Sequence, residues 1–173
     1  MKISLLYTNK STVKALYFAY LLCLAPNCAI AVDDAEQPVH IKSDKVNFDH
    51  NSGIALYSGN VKVNQGSRRL QSDNLTIKRD KNNKINVIIA TGKPATFKSQ
   101  EDPKKPVSFG KANTIKYYPQ AEKVDLLDEA ELTQNGDTIQ GPILNYNFIT
   151  GNLKTKSSKH SRATFILQPK RGS

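Results

Sequence analysis

The sequence predicts an all-β fold built from short antiparallel strands, and three observations support this. After residue 32, apolar residues recur at every second position, which is the period of a strand with one buried face. Turn-forming residues interrupt this alternation about every ten positions. No stretch in the same region has the spacing of an amphipathic helix. Regular short strands with such punctuation are typical of a sandwich or an open barrel.

The predicted turns lie at clusters of Gly, Pro, Asn and Asp. The strongest signal is Asn135-Gly136, because a type I′ hairpin turn needs positive φ at both central residues. The other clusters are at 50–53, 64–67, 80–84, 100–105 and 118–120.

Several predicted strands change the phase of their alternation partway along. The apolar positions move from Val39 and Ile41 to Val46 and Phe48 across a Ser-Asp pair. Similar changes occur within 54–63, 70–77 and 139–148. Because side chains alternate with a period of two, such a change indicates a β-bulge or a corner. We therefore expect one sheet whose strands bend, so that two facing halves enclose an apolar interior.

Residues 1–31 have the features of a cleavable export signal. Three lysines precede an eleven-residue apolar run, which is too short for a membrane-spanning helix of roughly 20 residues. The sequence Ala29-Ile30-Ala31 then supplies the small residues that signal peptidase needs. We predict cleavage after Ala31, with an uncleaved anchor as the alternative.

Cleavage would change the chemistry of the exported chain. Both cysteines, Cys23 and Cys28, lie in the leader, so the predicted domain at 32–168 and its short basic tail at 169–173 would contain no disulfide or thiolate metal site. Loss of three lysines lowers the net charge from +10 to +7. A basic surface favours anionic partners such as lipid phosphates, acidic glycans or nucleic acid, or it only maintains solubility.

The residue patterns argue against catalysis and against cofactors. His40, His50 and His160 are far apart and lack metal-ligand spacing. The chain has no Gly-x-Ser-x-Gly motif, and its predicted mature part has no cysteine nucleophile. Phe165 is the one aromatic residue among the basic residues near the C-terminus, whereas a nucleic-acid site would interleave several. We predict no enzyme, no cofactor, no metal and no nucleic-acid partner.

Four features carry a resemblance to a known family. They are QPVHIKSDKVNFD at 37–49, SGNVKVNQG at 58–66, GKPATF at 92–97 and a leader ending in Ala-x-Ala. In their order and spacing they resemble the OstA-like family, over about residues 37–169. A cleavable leader before a single domain is similar to the family's periplasmic bridge proteins, which carry lipopolysaccharide between the membranes of Gram-negative bacteria. The resemblance implies an open V-shaped antiparallel β-jellyroll whose groove holds the acyl chains of lipopolysaccharide.

The candidate groove residues come from the alternation and the resemblance together. Each CH₂ of an acyl chain costs about 0.8 kcal/mol in water, so a lipid needs shelter to cross an aqueous space. The alternative for these residues is an ordinary core position. The candidates are Val39, Ile41, Phe97 and Tyr117, which match groove positions of the family, and Val61 and Val63, which form the apolar face of one bent strand.

The two ends of the sheet are predicted to be interfaces. Unpaired edge strands accept further strands, and two different edges would join head-to-tail without closing into a ring. The resemblance implies an inner-membrane-anchored partner at the N-terminal edge, an outer-membrane translocon at the C-terminal edge, and self-association. The first edge is Val39, His40, Ile41 and Lys42, and the second is Ala163, Thr164, Phe165, Ile166 and Leu167. The alternative is that 163–167 only closes the last hairpin.

A basic region lies near the C-terminus, and two functions remain open for it. It could contact phosphates of the sugar core at the groove mouth, or it could be a solvated face. The alternative function for the whole chain is a secreted β-rich glycan-binding or adhesion module that uses this face. The basic region consists of Lys154, Lys156, Lys159, His160, Arg162, Lys170 and Arg171.

Overall fold

Ten strands form one antiparallel sheet in the part of the chain that the computed structural model describes, residues 34–100, 106–156 and 162–169. The predicted leader and residues 170–173 lie outside the described residues. The strands are β1 (His40–Lys42), β2 (Lys45–Asp49), β3 (Ile54–Gln65), β4 (Arg68–Arg79), β5 (Ile85–Ser99), β6 (Ser108–Tyr118), β7 (Lys123–Gln134), β8 (Asp137–Asn147), β9 (Leu153–Lys156) and β10 (Thr164–Ile166). Within the described ranges, no helix is long and apolar enough to span a membrane.

Six long strands, β3 to β8, run as a meander in which each pairs with the next along the chain. Their turns follow the sequence signals. Asn135 and Gly136 have φ values of 55° and 87°, which confirms the predicted pair of positive φ angles. At one end, β1 and β2 both pair with β3, and at the other end β9 and β10 both pair with β8.

All the long strands bend at one level, because each long pair has a register shift there. The first shift lies between Ser58 and Val61, so the bend at Gly59 is where we expected it. The predicted change of phase from Ile54 and Leu56 is wrong, because Ala55 and Tyr57 face the core and Leu56 is 47% exposed. Gly59 has φ +80°, and a Cβ there would lie 2.3 Å from Asp44 Oδ2, so only glycine fits this corner. The predicted bent strands are confirmed.

The bends divide the sheet into two facing half-sheets. The Phe97 half contains β1, β10 and the segments 61–65, 68–72, 95–99, 108–112, 130–134 and 137–141. The Tyr117 half contains β2, β9 and the segments 54–58, 74–79, 85–91, 114–118, 123–127 and 143–147.

The core lies between the halves and is built from rows of cross-strand neighbours. Within it, Leu75, Ile115, Leu126, Leu144 and Val61 are the largest fully buried side chains. A row in the Phe97 half contains Ile41, Val63, Leu70, Phe97, Gly110, Leu132, Ile139 and Phe165. A row in the Tyr117 half contains Phe48, Ala55, Ile77, Ile88, Tyr117, Val124, Tyr146 and Leu153.

The edges differ from the sequence-based expectation in one respect. We expected one edge strand at each end, whereas the structure has two, with β1 and β2 on one side and β9 and β10 on the other, one on each half. Val46 and Phe48 on β2 pair with Tyr57 and Ala55 and are 63% and 53% exposed. They lie in apolar rows, but β2 is the last strand of its half and leaves them uncovered.

Candidate functional site

A cavity of about 80 Å³ lies between the two half-sheets. Its interior is apolar, and polar side chains come from strand ends at the side away from the bend, which we call the mouth. Its lining residues are Val39, Val63, Gln65, Arg68, Arg69, Leu70, Ile88, Phe97, Lys98, Ser99, Ile115, Tyr117, Val124 and Phe148.

Four of the six groove residues predicted from the sequence line this cavity: Val39, Val63, Phe97 and Tyr117. The other two lie nearby. Val61 is 1% exposed and belongs to the core beside the bend. Ile41 is half-buried on β1 and packs against the core.

The ring of Phe97 occupies the space above Gly110, its cross-strand neighbour on β6. A Cβ at Gly110 would lie 2.0 Å from Phe97 Cε1, so any larger residue would collide with the ring. The absence of a side chain at Gly110 therefore lets Phe97 lie across β6 at the floor of the cavity.

A polar cluster joins the two halves at the mouth. Arg68 lies at the start of β4 in the Phe97 half, and its Nη1 donates to Tyr117 Oη at 2.7 Å in the Tyr117 half. Its Nη2 donates to Glu122 Oε2 at 3.3 Å, and the guanidinium lies 5.7 Å from the Tyr117 ring centroid. These two side chains, Arg68 and Glu122, are 18% and 25% exposed. The cluster is therefore a largely buried contact across the mouth.

The environment of Tyr117 keeps its phenol protonated. Burial is the largest influence and raises the pKa of Tyr117 from 10.0 to about 12. The charge of Arg68 acts in the opposite direction, and the charge of Glu122 reinforces the rise. At neutral pH Tyr117 is therefore a neutral hydroxyl that accepts from Arg68 and donates to Glu122, whose carboxylate oxygens are 3.4 Å away.

A second contact crosses the mouth further along the sheet. Gln134, at the end of β7, donates through Nε2 to Tyr146 Oη at 3.2 Å on the opposite half. The same amide donates to Ser108 Oγ at 3.0 Å. Phe148 packs edge-on against Tyr146 and Tyr117, with ring centroids 5.0 and 6.3 Å apart. Hydrogen bonds and aromatic packing thus join the two halves at the mouth.

Ser99 brings an unsatisfied hydroxyl to the cavity. The residue is 4% exposed and lines the cavity at the end of β5. Its Oγ has no hydrogen-bond partner among the described residues. Such a buried group costs roughly 1–3 kcal/mol when left unpaired.

Comparison with known proteins agrees with this geometry. The family model described as "LptA/(LptD N-terminal domain) LPS transport protein" matches residues 40–152. The chain belongs to this family. The lipopolysaccharide export system protein LptH of Pseudomonas aeruginosa is 34% identical over 166 residues, which cover 90% of this chain and 94% of LptH. LptA of Escherichia coli K12, another lipopolysaccharide export system protein, is 31% identical, with 94% and 88% of the two chains covered.

Structural comparison also shows that this chain has the fold of the LptA family. The crystal structure of LptH, described as the LptA-homologous periplasmic component of the lipopolysaccharide transport device of P. aeruginosa, matches with a TM-score of 0.74 at 31% identity. The match covers 80% of this chain and all of the LptH chain. The open antiparallel jellyroll predicted for the OstA-like resemblance is confirmed. The relatives favour lipopolysaccharide transport over the glycan-binding or adhesion alternative.

The edges of this LptA-family sheet expose apolar side chains. On the last strand, Phe165 and Ile166 are 55% and 43% exposed, and Leu167, just beyond it, is 66% exposed. Ala163 and Thr164 are exposed as well. At the first edge His40 and Lys42 are exposed, whereas Val39 and Ile41 are half-buried. Strand β1 begins at His40 and β10 covers 164–166, so both are slightly shorter than predicted.

The basic region near the C-terminus is only partly described. Lys154 and Lys156 are exposed on β9, and Arg162 is exposed before β10. Lys159, His160, Lys170 and Arg171 lie outside the described residues. None of the described basic residues of this region lines the cavity, whose cations are Arg68, Arg69 and Lys98.

Sequence reasoning missed several lining residues. Ile88, Ile115 and Val124 could have been found, because they follow the alternation of their strands. The contact of the lining residue Arg68 with Glu122 could not, because it joins opposite half-sheets and 54 positions of chain separate the two residues. Among the described residues no group of three or more His, Cys, Asp or Glu side chains could hold a metal ion.

Proposed function

We propose that this protein binds lipopolysaccharide and carries it through the periplasm from the inner to the outer membrane. Two relatives, LptH and LptA, are named lipopolysaccharide export system proteins, and LptH is described as a periplasmic component of that system. Export of the chain by cleavage after Ala31 is part of the proposal. The protein acts by binding and transfer, without catalysis.

The observation that carries the proposal is an apolar cavity with a polar mouth between two half-sheets. The interior contains Val63, Leu70 and Phe97, and the mouth contains Arg68 and Ser99. A molecule with acyl chains and a charged head matches this division. Sheltering a dozen CH₂ groups from water is worth roughly 10 kcal/mol, so the apolar interior supplies the main affinity.

In this proposal the acyl chains contact the predicted groove residues where these residues face the cavity. Val39, Val63, Phe97 and Tyr117 already line the cavity, and Ile41 continues the row of Val63 to the sheet edge. Val61 is enclosed by the core, so a chain reaches it only when the half-sheets separate more widely.

A photo-crosslinking amino acid at Phe97 or Tyr117 tests this function. We expect both variants to label lipopolysaccharide in cells. Leu56 is the matched control, because it is an apolar residue on the outer face of β3 and is 47% exposed. Lys123 is a second, charged surface control. Equal labelling from the control positions, or labelling from those alone, would refute the groove as the binding site.

The edges complete the proposal. We assign an inner-membrane-anchored, LptC-like partner to the edge formed by β1 and β2. An outer-membrane, LptD-like partner, or a second copy of the chain, adds to the edge formed by β9 and β10. Exposed apolar side chains at both edges, Val46 and Phe48 on β2 and Phe165 on β10, support this, since strand addition would bury them.

A further inference from the structure

We propose that Arg68 is an anion-binding residue of the groove, whose guanidinium exchanges the Glu122 carboxylate for a phosphate on the head of the lipid when the half-sheets separate. This assignment rests on the proposed function, and it adds a site for the charged part of the ligand.

The cavity in this conformation is too small for a lipid. Its volume is about 80 Å³. Sites for small molecules usually have about 300–1,000 Å³. A lipid can therefore enter only if the half-sheets move apart, and this movement breaks the bonds from Arg68 to Tyr117 and Glu122, which lie on the opposite half.

Separation of the halves would leave Arg68 without its partners. The side chain is 18% exposed while the halves are joined, so their separation would free its N–H donors for a new acceptor. Among the described residues its side-chain acceptors are Tyr117 and Glu122. A guanidinium has five N–H donors in a planar fork that fits two phosphate oxygens at once. A phosphate brought by the ligand would thus replace the lost partners.

Ser99 gives independent support for a polar ligand group at this position. Its Oγ is buried, lines the same cavity and has no partner among the described residues. A hydroxyl of this kind can donate to a ligand oxygen and recover the cost of burial. A phosphate or linkage oxygen at the mouth would satisfy it.

The charges at the mouth favour an anion attached to an apolar chain. Arg68, Arg69 and Lys98 line the cavity, and Glu122 contacts Arg68 beside it. The cations are next to Leu70 and Phe97, so an anion bound there lies at the entrance to the apolar interior. A lipid head carrying phosphate, with acyl chains behind it, matches this order.

The test measures binding of the purified protein to two probes: lipid A with its phosphates, and the same lipid A after the phosphates are removed. We expect the wild type to prefer the phosphorylated probe by about tenfold. Arg68→Ala should lose this preference while its affinity for the dephosphorylated probe is retained. Arg68→Lys should retain part of it, since an ammonium lacks the fork.

Two further variants control for net charge. Arg79→Ala removes the same charge from the other end of β4, where the Arg79 side chain donates to Asn83 O and does not line the cavity, and should retain the full preference. Glu122→Gln removes the competing carboxylate and should increase affinity for the phosphorylated probe severalfold. Glu131 forms an ion pair with Lys111 away from the cavity, so Glu131→Gln should leave the affinity for the phosphorylated probe unchanged.

Several outcomes would overturn the assignment. One is that Arg68→Ala weakens binding of both probes equally, and another is that it changes neither affinity. A third is that Arg79→Ala reduces the phosphate preference as much as Arg68→Ala does. Displacement of the lipid by inorganic phosphate at the same concentration as the lipid would assign the site to free phosphate instead. If the wild type binds neither probe, the proposed function fails as well, whereas tight binding without a phosphate preference refutes only the role of Arg68.

Discussion

Phe97 packs against Gly110, and its ring fits there only because Gly110 has no side chain. The ring of Phe97 lies over Gly110, where a Cβ would come within 2.0 Å of it. Alternation does not predict that residue 110 faces inward, because Phe109 is the large apolar residue of this segment, yet Phe109 is 40% exposed and Gly110 lies opposite Phe97 in the inward row. At the residue scale, the shape of the cavity thus depends on one cross-strand contact.

We expect Gly110→Ala to lower the free energy of unfolding by about 1–3 kcal/mol, because the added methyl group forces the Phe97 ring out of place. Urea denaturation followed by circular dichroism measures this change. Adding Phe97→Leu to Gly110→Ala should recover part of the loss, since a smaller side chain removes the collision. Additive effects of the two substitutions would contradict the contact.

Tyr117 makes stability depend on pH in the alkaline range. The folded protein raises the pKa of its phenol to about 12, so it retains the proton above pH 10, where the unfolded chain loses it. The contribution of this group to stability is therefore complete below pH 10 and decreases as the pH rises towards 12.

Tyr117→Phe should remove this dependence. We expect the stability difference between wild type and variant to be constant below pH 10 and to fall above it. Urea midpoints at a series of pH values give the difference. Subtracting the absorbance of the variant from that of the wild type isolates the phenolate of Tyr117, which should form near pH 12. Formation near pH 10 would show that burial does not control the pKa of Tyr117.

At the scale of elements, the bend creates the two short strands at each edge. β1 and β2 would be one strand without the corner at Ser43-Asp44, and each now pairs with a different half of β3. Four short edges with exposed Val46, Phe48 and Phe165 are thus available for strand addition.

Phe165→Lys should weaken self-association, because a charge on β10 opposes burial of that edge against another copy. Sedimentation velocity over a range of protein concentrations should show oligomers for the wild type and mainly monomer for the variant. Leu56→Lys, on the outer face of β3, is the control and should associate as the wild type does. Unchanged oligomers in Phe165→Lys would exclude β10 as the joining edge.

At the scale of the whole molecule, two polar contacts across the mouth oppose the opening of the groove. One is the Arg68 cluster, and the other is the bond from Gln134 to Tyr146. The neutral bond from Gln134 to Tyr146 contributes about 0.5–1.5 kcal/mol and a bond from the charged Arg68 about 1.5–3 kcal/mol, which is small enough for ligand entry to break them.

Tyr146→Phe should make opening easier, because it removes the hydroxyl that accepts from Gln134 across the mouth. We expect a fluorescent acyl probe to bind a few times faster in stopped-flow measurements, as the loss of one such bond implies. Thr138→Val is the control, since the bond from Thr138 to Thr133 lies within one half. An equal rate in Tyr146→Phe and wild type would mean that this contact does not limit entry.

Much of the fold could be predicted from local patterns. The alternation identified the strands, Asn135-Gly136 identified a hairpin turn, and the changes of phase within 70–77 and 139–148 identified the bends of β4 and β8. These signals are local because backbone sterics and side-chain direction act over a few residues. The predicted groove residues Val63 and Phe97 followed from the same alternation together with the family resemblance.

The sequence by itself determined many of the inward-facing residues and the bends between β1 and β2, in β4 and in β8, since both depend on neighbouring positions along the chain. Only the tertiary structure decided which inward residues remain beside a cavity and which, like Val61, are enclosed by the core. It also decided that Arg68 meets Tyr117 and Glu122, because that contact forms only when two distant half-sheets face each other. The physical reason is that the cavity and its mouth are properties of the space between the halves, which no single strand encodes.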